Sequence, residues 1–223
     1  MVSPCHALTA RHIVFGDEQA TLVDEHGQNN DFAVTLSIGN DGQGGPKWTI
    51  IADPILWGAD NNGGGDFVLL HLRHCAGVDR TIGWMEWGKA EEKLDVKMTG
   101  VQGDKLFGTM WNSQGRIVEE SLNHTYNHDL PTRHGSSGNP IYTTRLGSAP
   151  ILRALNTGSR HDQADIQKFY RSNRSNTAID AAYIYSLDVF KDEILYSVLW
   201  FSRSFPGRKN PQIEMSIRCL VPG

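Results

Sequence analysis

Apolar and polar positions alternate in short runs along most of this chain, and turn residues cut the runs apart. Phe32-Ala33-Val34-Thr35-Leu36-Ser37-Ile38 has the period of two that sends successive side chains to opposite faces of a strand. Trp48-Thr49-Ile50-Ile51-Ala52 reads as a second strand, with the turn-rich Gly39-Asn40-Asp41-Gly42-Gln43-Gly44-Gly45-Pro46 between the two. A loop, Asn61-Asn62-Gly63-Gly64-Gly65, delivers Asp66 to a third strand, Phe67 to Leu72. The charged stretch Lys89-Ala90-Glu91-Glu92-Lys93 marks a crossing between two units, residues 1–90 and 91–223. Further strands are expected at Asp95 to Thr99, Lys105 to Trp111, Gly115 to Glu119, Pro140 to Thr143 and Ile151 to Asn156, with 160–175 as an insertion between strands.

The period changes near the end. Val189, Phe190, Ile194, Leu195, Val198 and Leu199 fall on one face of a helix, predicted over 187–202. Ser186 or Asp188 would cap its N-terminus, Asp192 and Glu193 would sit near its positive end, and Pro206-Gly207 lies beyond its stop. The stretch from Ile213 to Val221 alternates weakly and reads as a last strand or a tail.

Composition narrows the class. With 223 residues, 39% of them hydrophobic, 23 glycines and 9 prolines, the chain suits an all-β protein of one large domain or two small barrels. A net charge of -4 supplies no strong field, which argues against nucleic acid and anionic membrane as partners. The apolar run Ile194 to Phe201 is too short to span a bilayer. Cys5, Cys75 and Cys219 allow one bridge with a leftover thiol, or none. His71 and His74 lie three apart, so on a strand they face opposite ways, and no Cys-x-x-Cys pair exists; neither a metal nor a cofactor is expected. Asn123-His124-Thr125 and Asn173-Arg174-Ser175 are glycosylation sequons of a kind that chance also supplies.

Three motifs, in a fixed order, carry candidate chemistry. His12 follows Ala7-Leu8-Thr9-Ala10-Arg11, Asp66 opens the third strand, and Ser137 stands in Arg133-His134-Gly135-Ser136-Ser137-Gly138-Asn139-Pro140. Acyl transfer by serine needs a hydroxyl nucleophile, a base for its proton and donors aimed at the developing oxyanion. Histidine suits the base because its ordinary pKa, about 6.5, lies near neutrality, so activity should fall as acid protonates it. A buried carboxylate then fixes the imidazole tautomer. On this reading Ser137 is the nucleophile, His12 the general base and Asp66 the orienting acid. The backbone N–H groups of Gly135 and Ser137 form the oxyanion hole. Each motif alone is also an ordinary turn or surface feature, and Ser136 is a rival nucleophile within the frame. The other histidines (His6, His26, His71, His74, His124, His128, His134 and His161) read as core or surface residues.

The order histidine, aspartate, serine between glycines resembles the chymotrypsin-like serine proteases. Over 3–184 the chain resembles the glutamyl endopeptidases and their bacterial and fungal trypsin-like relatives. The most specific stretch is Gly103-Asp104-Lys105-Leu106-Phe107-Gly108-Thr109-Met110-Trp111-Asn112-Ser113-Gln114-Gly115-Arg116-Ile117, followed by Asp129-Leu130-Pro131-Thr132 and the serine motif. The resemblance implies two six-stranded antiparallel β-barrels with the active site between them, a C-terminal helix, secretion, and a monomer acting on peptide or protein substrates.

It also implies a specificity pocket built from Thr132, five residues before Ser137, and from the position of Asn156, where the glutamyl branch has a histidine. Asn156 can donate to a substrate carboxylate but carries no charge. Trypsin-like zymogens have an aspartate at the position of Ser136, paired to a freed amine; serine cannot form that pair. Only eleven residues precede His12, fewer than the family's first strands require. The resemblance therefore implies either an abbreviated first barrel or a start that lies upstream, and Met1-Val2-Ser3-Pro4-Cys5-His6 has neither the basic segment nor the apolar core of a signal peptide. The leading expectation is a serine endopeptidase. The alternatives are a protease-fold binding protein with impaired catalysis and an esterase using the same triad.

Overall fold

A computed structural model of the chain describes residues 1–15, 33–38, 48–58, 63–75, 83–105, 109–121, 124–133, 135–159, 176–188 and 190–194. The first unit is one antiparallel sheet. Its strands are β1 (His6–Thr9), β2 (Val34–Ile38), β3 (Trp48–Trp57) and β4 (Val68–Leu72), in the order β1-β4-β3-β2. A short helix, α1 (Arg11–Phe15), follows β1 directly. β3 continues past its predicted end at Ala52, through Asp53 and Pro54. A register shift between Pro54 and Leu56 lets the strand absorb a residue that cannot donate to the ladder.

β4 is nearly all apolar because both of its faces are covered. Val68, Leu70 and Leu72 pack with Ala52 on one side, while Leu69, with Phe67 just before the strand, joins a separate cluster on the other. A disulfide, Cys5–Cys75, ties the residue before β1 to the segment after β4, and so settles the cysteine alternatives in favour of a bridge.

The second unit is a closed antiparallel barrel. β6 (Asp95–Gly100), β7 (Trp111–Glu120), β8 (Thr125–His128), β9 (Pro140–Thr143), β10 (Ile151–Ser159) and β11 (Asn176–Asp180) pair in the cycle β11-β8-β7-β6-β9-β10, closed by the pairing of β10 with β11. The two-residue β5 (Glu86–Trp87) adds to β10 in parallel. Val96, Met98, Ile117, Tyr126, Leu130, Ile141, Ala154 and Ala178 form the barrel interior, each at most 3% exposed. The fold is thus all-β and consistent with the trypsin-like double barrel: a closed six-stranded barrel and, among the described residues, an open half-barrel sheet with β1 and β2 at its edges.

The expected strand Gly115 to Glu119 begins earlier, at Trp111, while of the expected strand Lys105 to Trp111 only Trp111 lies in a strand and 106–108 fall outside the described residues. Lys105 lies in a turn, its N–H donating to the Gln102 carbonyl at 3.1 Å, and β7 runs from Trp111 straight through Gly115. Glycine is needed there because the Asp129 carboxylate lies where its Cβ would be, accepting from the N–H of Arg116. The tail also differs from expectation. α2 (Ala181–Ser186) starts directly after β11, capped by Asp180, whose Oδ1 accepts from the N–H of Ala182 at 3.0 Å and from that of Ala90 at 3.1 Å. Ser186 is therefore the last residue of one helix and not the cap of another. Helical backbone resumes at Asp188, close to the predicted start, and is described again over 190–194, with Phe190 and Ile194 buried as the helical face requires. The predicted continuation to 202, the weak alternation of Ile213 to Val221, and the insertion at 160–175 lie outside the described residues.

One apolar cluster joins the two units. Phe67 and Leu69 from the first meet Leu152, Leu155 and Ile179 from the second, with Ile184 and Phe190 against them. Burying each such side chain contributes roughly 1.5–3 kcal/mol.

Candidate active site

His12 occupies the first turn of α1, directly beyond β1, and its side chain is a quarter exposed. Asp66 precedes β4 and is 3% exposed. Strand β1 pairs with β4, so the end of one and the start of the other lie side by side, Thr9 opposite Val68. The carboxylate of Asp66 uses both oxygens on one residue. Oδ1 accepts from the backbone N–H of His12 at 3.0 Å, and Oδ2 lies 2.7 Å from the ring Nδ1. A carboxylate only accepts, so Nδ1 carries a proton, and in the neutral ring the lone pair is then on Nε2. The ring is held in the tautomer that can take a proton at Nε2.

Ser137 lies in the loop between β8 and β9. The Ser136 N–H donates to the Arg133 carbonyl at 3.0 Å, and Gly135, at φ 86°, lies close to Gly103. That φ belongs to the left-handed region, which glycine enters without steric cost. Gly138, at φ 78°, sits so tightly against the side chain of Thr9 and the N–H of Ala10 that no Cβ would fit. Gly138 thereby seats the serine loop on the segment that leads into His12. The Ser137 hydroxyl is half-buried and donates to the Thr157 carbonyl at 3.4 Å, a long bond that holds it lightly. Ser136 is 3% exposed and engaged inside the protein, which leaves Ser137 as the accessible hydroxyl of the pair.

Asn156 does not have the place in a pocket that was expected of it. It is 1% exposed, and its amide is committed inside the barrel. Nδ2 donates to the Ser136 carbonyl at 2.8 Å and approaches the Ser136 hydroxyl at 3.3 Å, while Oδ1 lies 3.0 Å from Nε2 of His128. Every polar atom of the side chain has a partner already, so a substrate carboxylate finds no donor there. The reason is the sheet: β10 runs beside the loop, with the N–H of Gly138 on the Asn156 carbonyl at 2.7 Å and the N–H of Asn156 on the Asn139 carbonyl at 3.0 Å. Thr132 is half-buried at the start of the loop.

His128 is the residue that sequence reasoning missed. It ends β8, is 1% exposed, and burial pushes its pKa down to about 4 against the opposing pull of its bond to Asn156 and of the Asp129 charge. Nothing in the sequence distinguished it from the other eight histidines.

No protein-family model matches the chain, and no curated protein matches it in sequence. Solved structures do match it in shape. One is described as a Glu endopeptidase in complex with MPD; it superposes with a TM-score of 0.60 over 88% of this chain and 82% of its own, at 14% identity. Another comes from work on the coupled folding and binding, driven by aromatic interactions, of the intrinsically disordered Sesbania mosaic virus VPg protein. It superposes with a TM-score of 0.50 over 82% of this chain and 76% of its own, also at 14% identity. At such identity the likeness speaks for the trypsin-like fold alone.

Proposed function

We propose that this protein is a serine endopeptidase. The observation that carries the reading is the grip of Asp66 on His12 through both carboxylate oxygens, next to the Ser137 loop. In the reaction the Ser137 hydroxyl turns from the Thr157 carbonyl toward His12, gives its proton to Nε2, and its oxygen attacks the carbonyl carbon of the scissile peptide. The N–H groups of Gly135 and Ser137 receive the oxyanion. The leaving amine takes the proton from Nε2 as the C–N bond breaks, and the acyl chain remains as an ester on Ser137. Water, deprotonated by the same Nε2, then attacks the ester carbon, and the proton returns to the Ser137 oxygen as the acid leaves. Asp66 stabilises the imidazolium in both steps without taking its proton.

The glutamyl endopeptidase structure supports peptide as the substrate class. Thr132 is the remaining candidate for the specificity pocket. With Asn156 committed elsewhere, a preference for glutamate lacks its second partner. The Cys5–Cys75 bridge supports an oxidising, extracellular working place, since such bonds persist there. The proposed enzyme acts as a monomer, residues 1–90 supplying His12 and Asp66 and residues 91–223 supplying Ser137.

The test is covalent labelling by a fluorophosphonate, together with cleavage of an unstructured protein substrate. The parent chain is expected to label and to cleave, and Ser137→Ala to do neither. Labelling that persists in the variant removes Ser137 as nucleophile. A folded parent chain that neither labels nor cleaves favours a protease-fold binding protein instead.

A further inference from the structure

We infer that Asn156, set in place by His128, is the positioning residue that aims the Ser137 N–H away from the barrel interior, in the role that a buried ion pair would otherwise fill. The inference deepens the proposed endopeptidase function and rests on it.

The argument starts from the peptide unit between Ser136 and Ser137. A trans peptide is planar, and its C=O and N–H point in opposite directions. The Ser136 carbonyl is drawn inward by Nδ2 of Asn156 at 2.8 Å. The N–H of Ser137, on the same plate, is therefore turned away from Asn156 and toward the outside of the barrel. Rotating it would require breaking a buried hydrogen bond, because Ser136 and Asn156 are 3% and 1% exposed and no solvent replaces the lost partner. Two backbone bonds of Asn156, to the Gly138 N–H and the Asn139 carbonyl, fix the loop on the other side of Ser137. One residue thus holds the chain both before and after the nucleophile.

The direction of the side-chain bonds follows from the acceptor at the end of the line. A carbonyl cannot donate, so the Asn156 atom facing Ser136 is the NH2 group, and Oδ1 faces His128. An amide oxygen cannot donate either, so His128 carries its proton on Nε2. Its Nδ1 is then a bare lone pair, and it has no hydrogen-bond partner among the described residues. All donors run one way: His128 Nε2–H to Asn156 Oδ1, then Asn156 Nδ2–H to the Ser136 carbonyl. His128 prevents the amide from flipping, and a flipped amide would present oxygen to oxygen at Ser136. With serine at position 136, no carboxylate is available to be pulled inward by a cation, and the neutral chain supplies the pull.

The test uses the purified full chain, with fluorophosphonate labelling resolved into kinact and KI and with folding checked by circular dichroism. Asn156→Asp keeps the shape but places a carboxylate oxygen where the donor was. It is expected to lower kinact on the order of 100-fold, as loss of an oxyanion donor does, with KI little changed. His128→Leu is expected to lower kinact as well. His128→Gln, whose amide can donate to Oδ1, is expected to restore most of that rate. Three results would overturn the inference. If the parent labels through Ser137 and a folded Asn156→Asp keeps the parental kinact, the positioning role alone falls. It also falls if His128→Gln loses as much as His128→Leu, a comparison that decides the matter should Asn156→Asp not fold. Labelling of the parent that is absent, or indifferent to Ser137→Ala, overturns the nucleophile reading and this inference with it.

Discussion

Lowering the pH from 7 to 5 is expected to destabilise the folded chain through two buried histidines, His6 and His128. His6, 1% exposed, has Nδ1 at 2.8 Å from the Ser3 hydroxyl, the His71 ring at 5.2 Å and the Glu193 carboxylate at 4.0 Å. Burial, reinforced by His71, pushes its pKa down to about 4. His128 reaches about 4 by burial alone, with Asn156 and Asp129 pulling the other way. In the unfolded chain both titrate near the ordinary value of about 6.5. Between those limits the unfolded state binds protons that the native state refuses, so stability falls as pH falls. Each histidine contributes stability that is fully present above pH 6.5 and is lost as the pH drops toward 4, about 3 kcal/mol over the whole window. From pH 7 to 5 the loss is about 2 kcal/mol for each, or about 4 kcal/mol together. That is a large part of the 5–15 kcal/mol typical of a domain. Asp53, held below the ordinary carboxylate range first by its hydrogen bonds to Arg73, titrates under this window and adds little to it. The measurement is urea unfolding at pH 7, 6 and 5 for the parent, His6→Gln and His128→Gln. Each variant should flatten the pH dependence by about 2 kcal/mol. If both variants keep the parental loss between pH 7 and 5, neutral burial of these rings is not the cause and the reasoning is wrong.

Asp66→Asn should cut the acylation rate by about 10⁴-fold without unfolding the chain, because the ring would no longer be held with its proton on Nδ1; stopped-flow acylation within tenfold of the parent would contradict this. Gly138→Ala should both destabilise the chain and slow labelling, since a Cβ meets Thr9 and lies 3.2 Å from the Ala10 nitrogen at a φ of 78°. A cost of about 1–2 kcal/mol in urea unfolding is expected from the backbone conformation alone. Replacing Cys5 and Cys75 together by serine should cost about 4 kcal/mol, given their separation of 70 residues; parent and variant with equal unfolding midpoints would sink that expectation.

The strands legible in the sequence are those with one wet face or an unbroken apolar run. β2 alternates, β4 is apolar but for His71 because both faces are covered, and β9 begins at a proline that marks its entry. β8 gave no signal for the opposite reason. All four of its residues, Thr125, Tyr126, Asn127 and His128, are buried, so its polar residues occupy positions where the pattern reserves apolar ones. β11 runs straight into α2 with no turn residue between Asp180 and Ala181, and no break in the sequence marks the change. Gly115 looked like a strand end and is instead the gap into which Asp129 reaches, a contact made only once β7 and β8 pair. The site divides in the same way. His12 and Asp66 are legible as candidates from motif order and resemblance, while their contact is made by the pairing of β1 with β4. The commitment of Asn156 follows from the register of β10 against the loop after Ser136, and no local pattern encodes register.

The apolar cluster between the two units also orients polar residues that adjoin it. Three buried polar side chains each adjoin a member of that cluster in sequence: Asp66 before Phe67, Asn156 after Leu155, and Asp180 after Ile179. In extended chain, neighbouring side chains point to opposite sides. Fixing Leu155 in β10 therefore turns Asn156 toward Ser136 and His128, whereas Asp66 sits in a tight turn, with the Phe67 N–H on the Gly65 carbonyl at 2.9 Å, and is held by its bonds to His12. Fixing Ile179 likewise turns Asp180 to the N–H groups of Ala90 and Ala182, which anchors α2. The apolar side chains interdigitate with few allowed arrangements, so they act as a common datum for Asn156 and Asp180. The polar side chains of β10 and β11 thus take their directions from apolar packing on the far side of each strand.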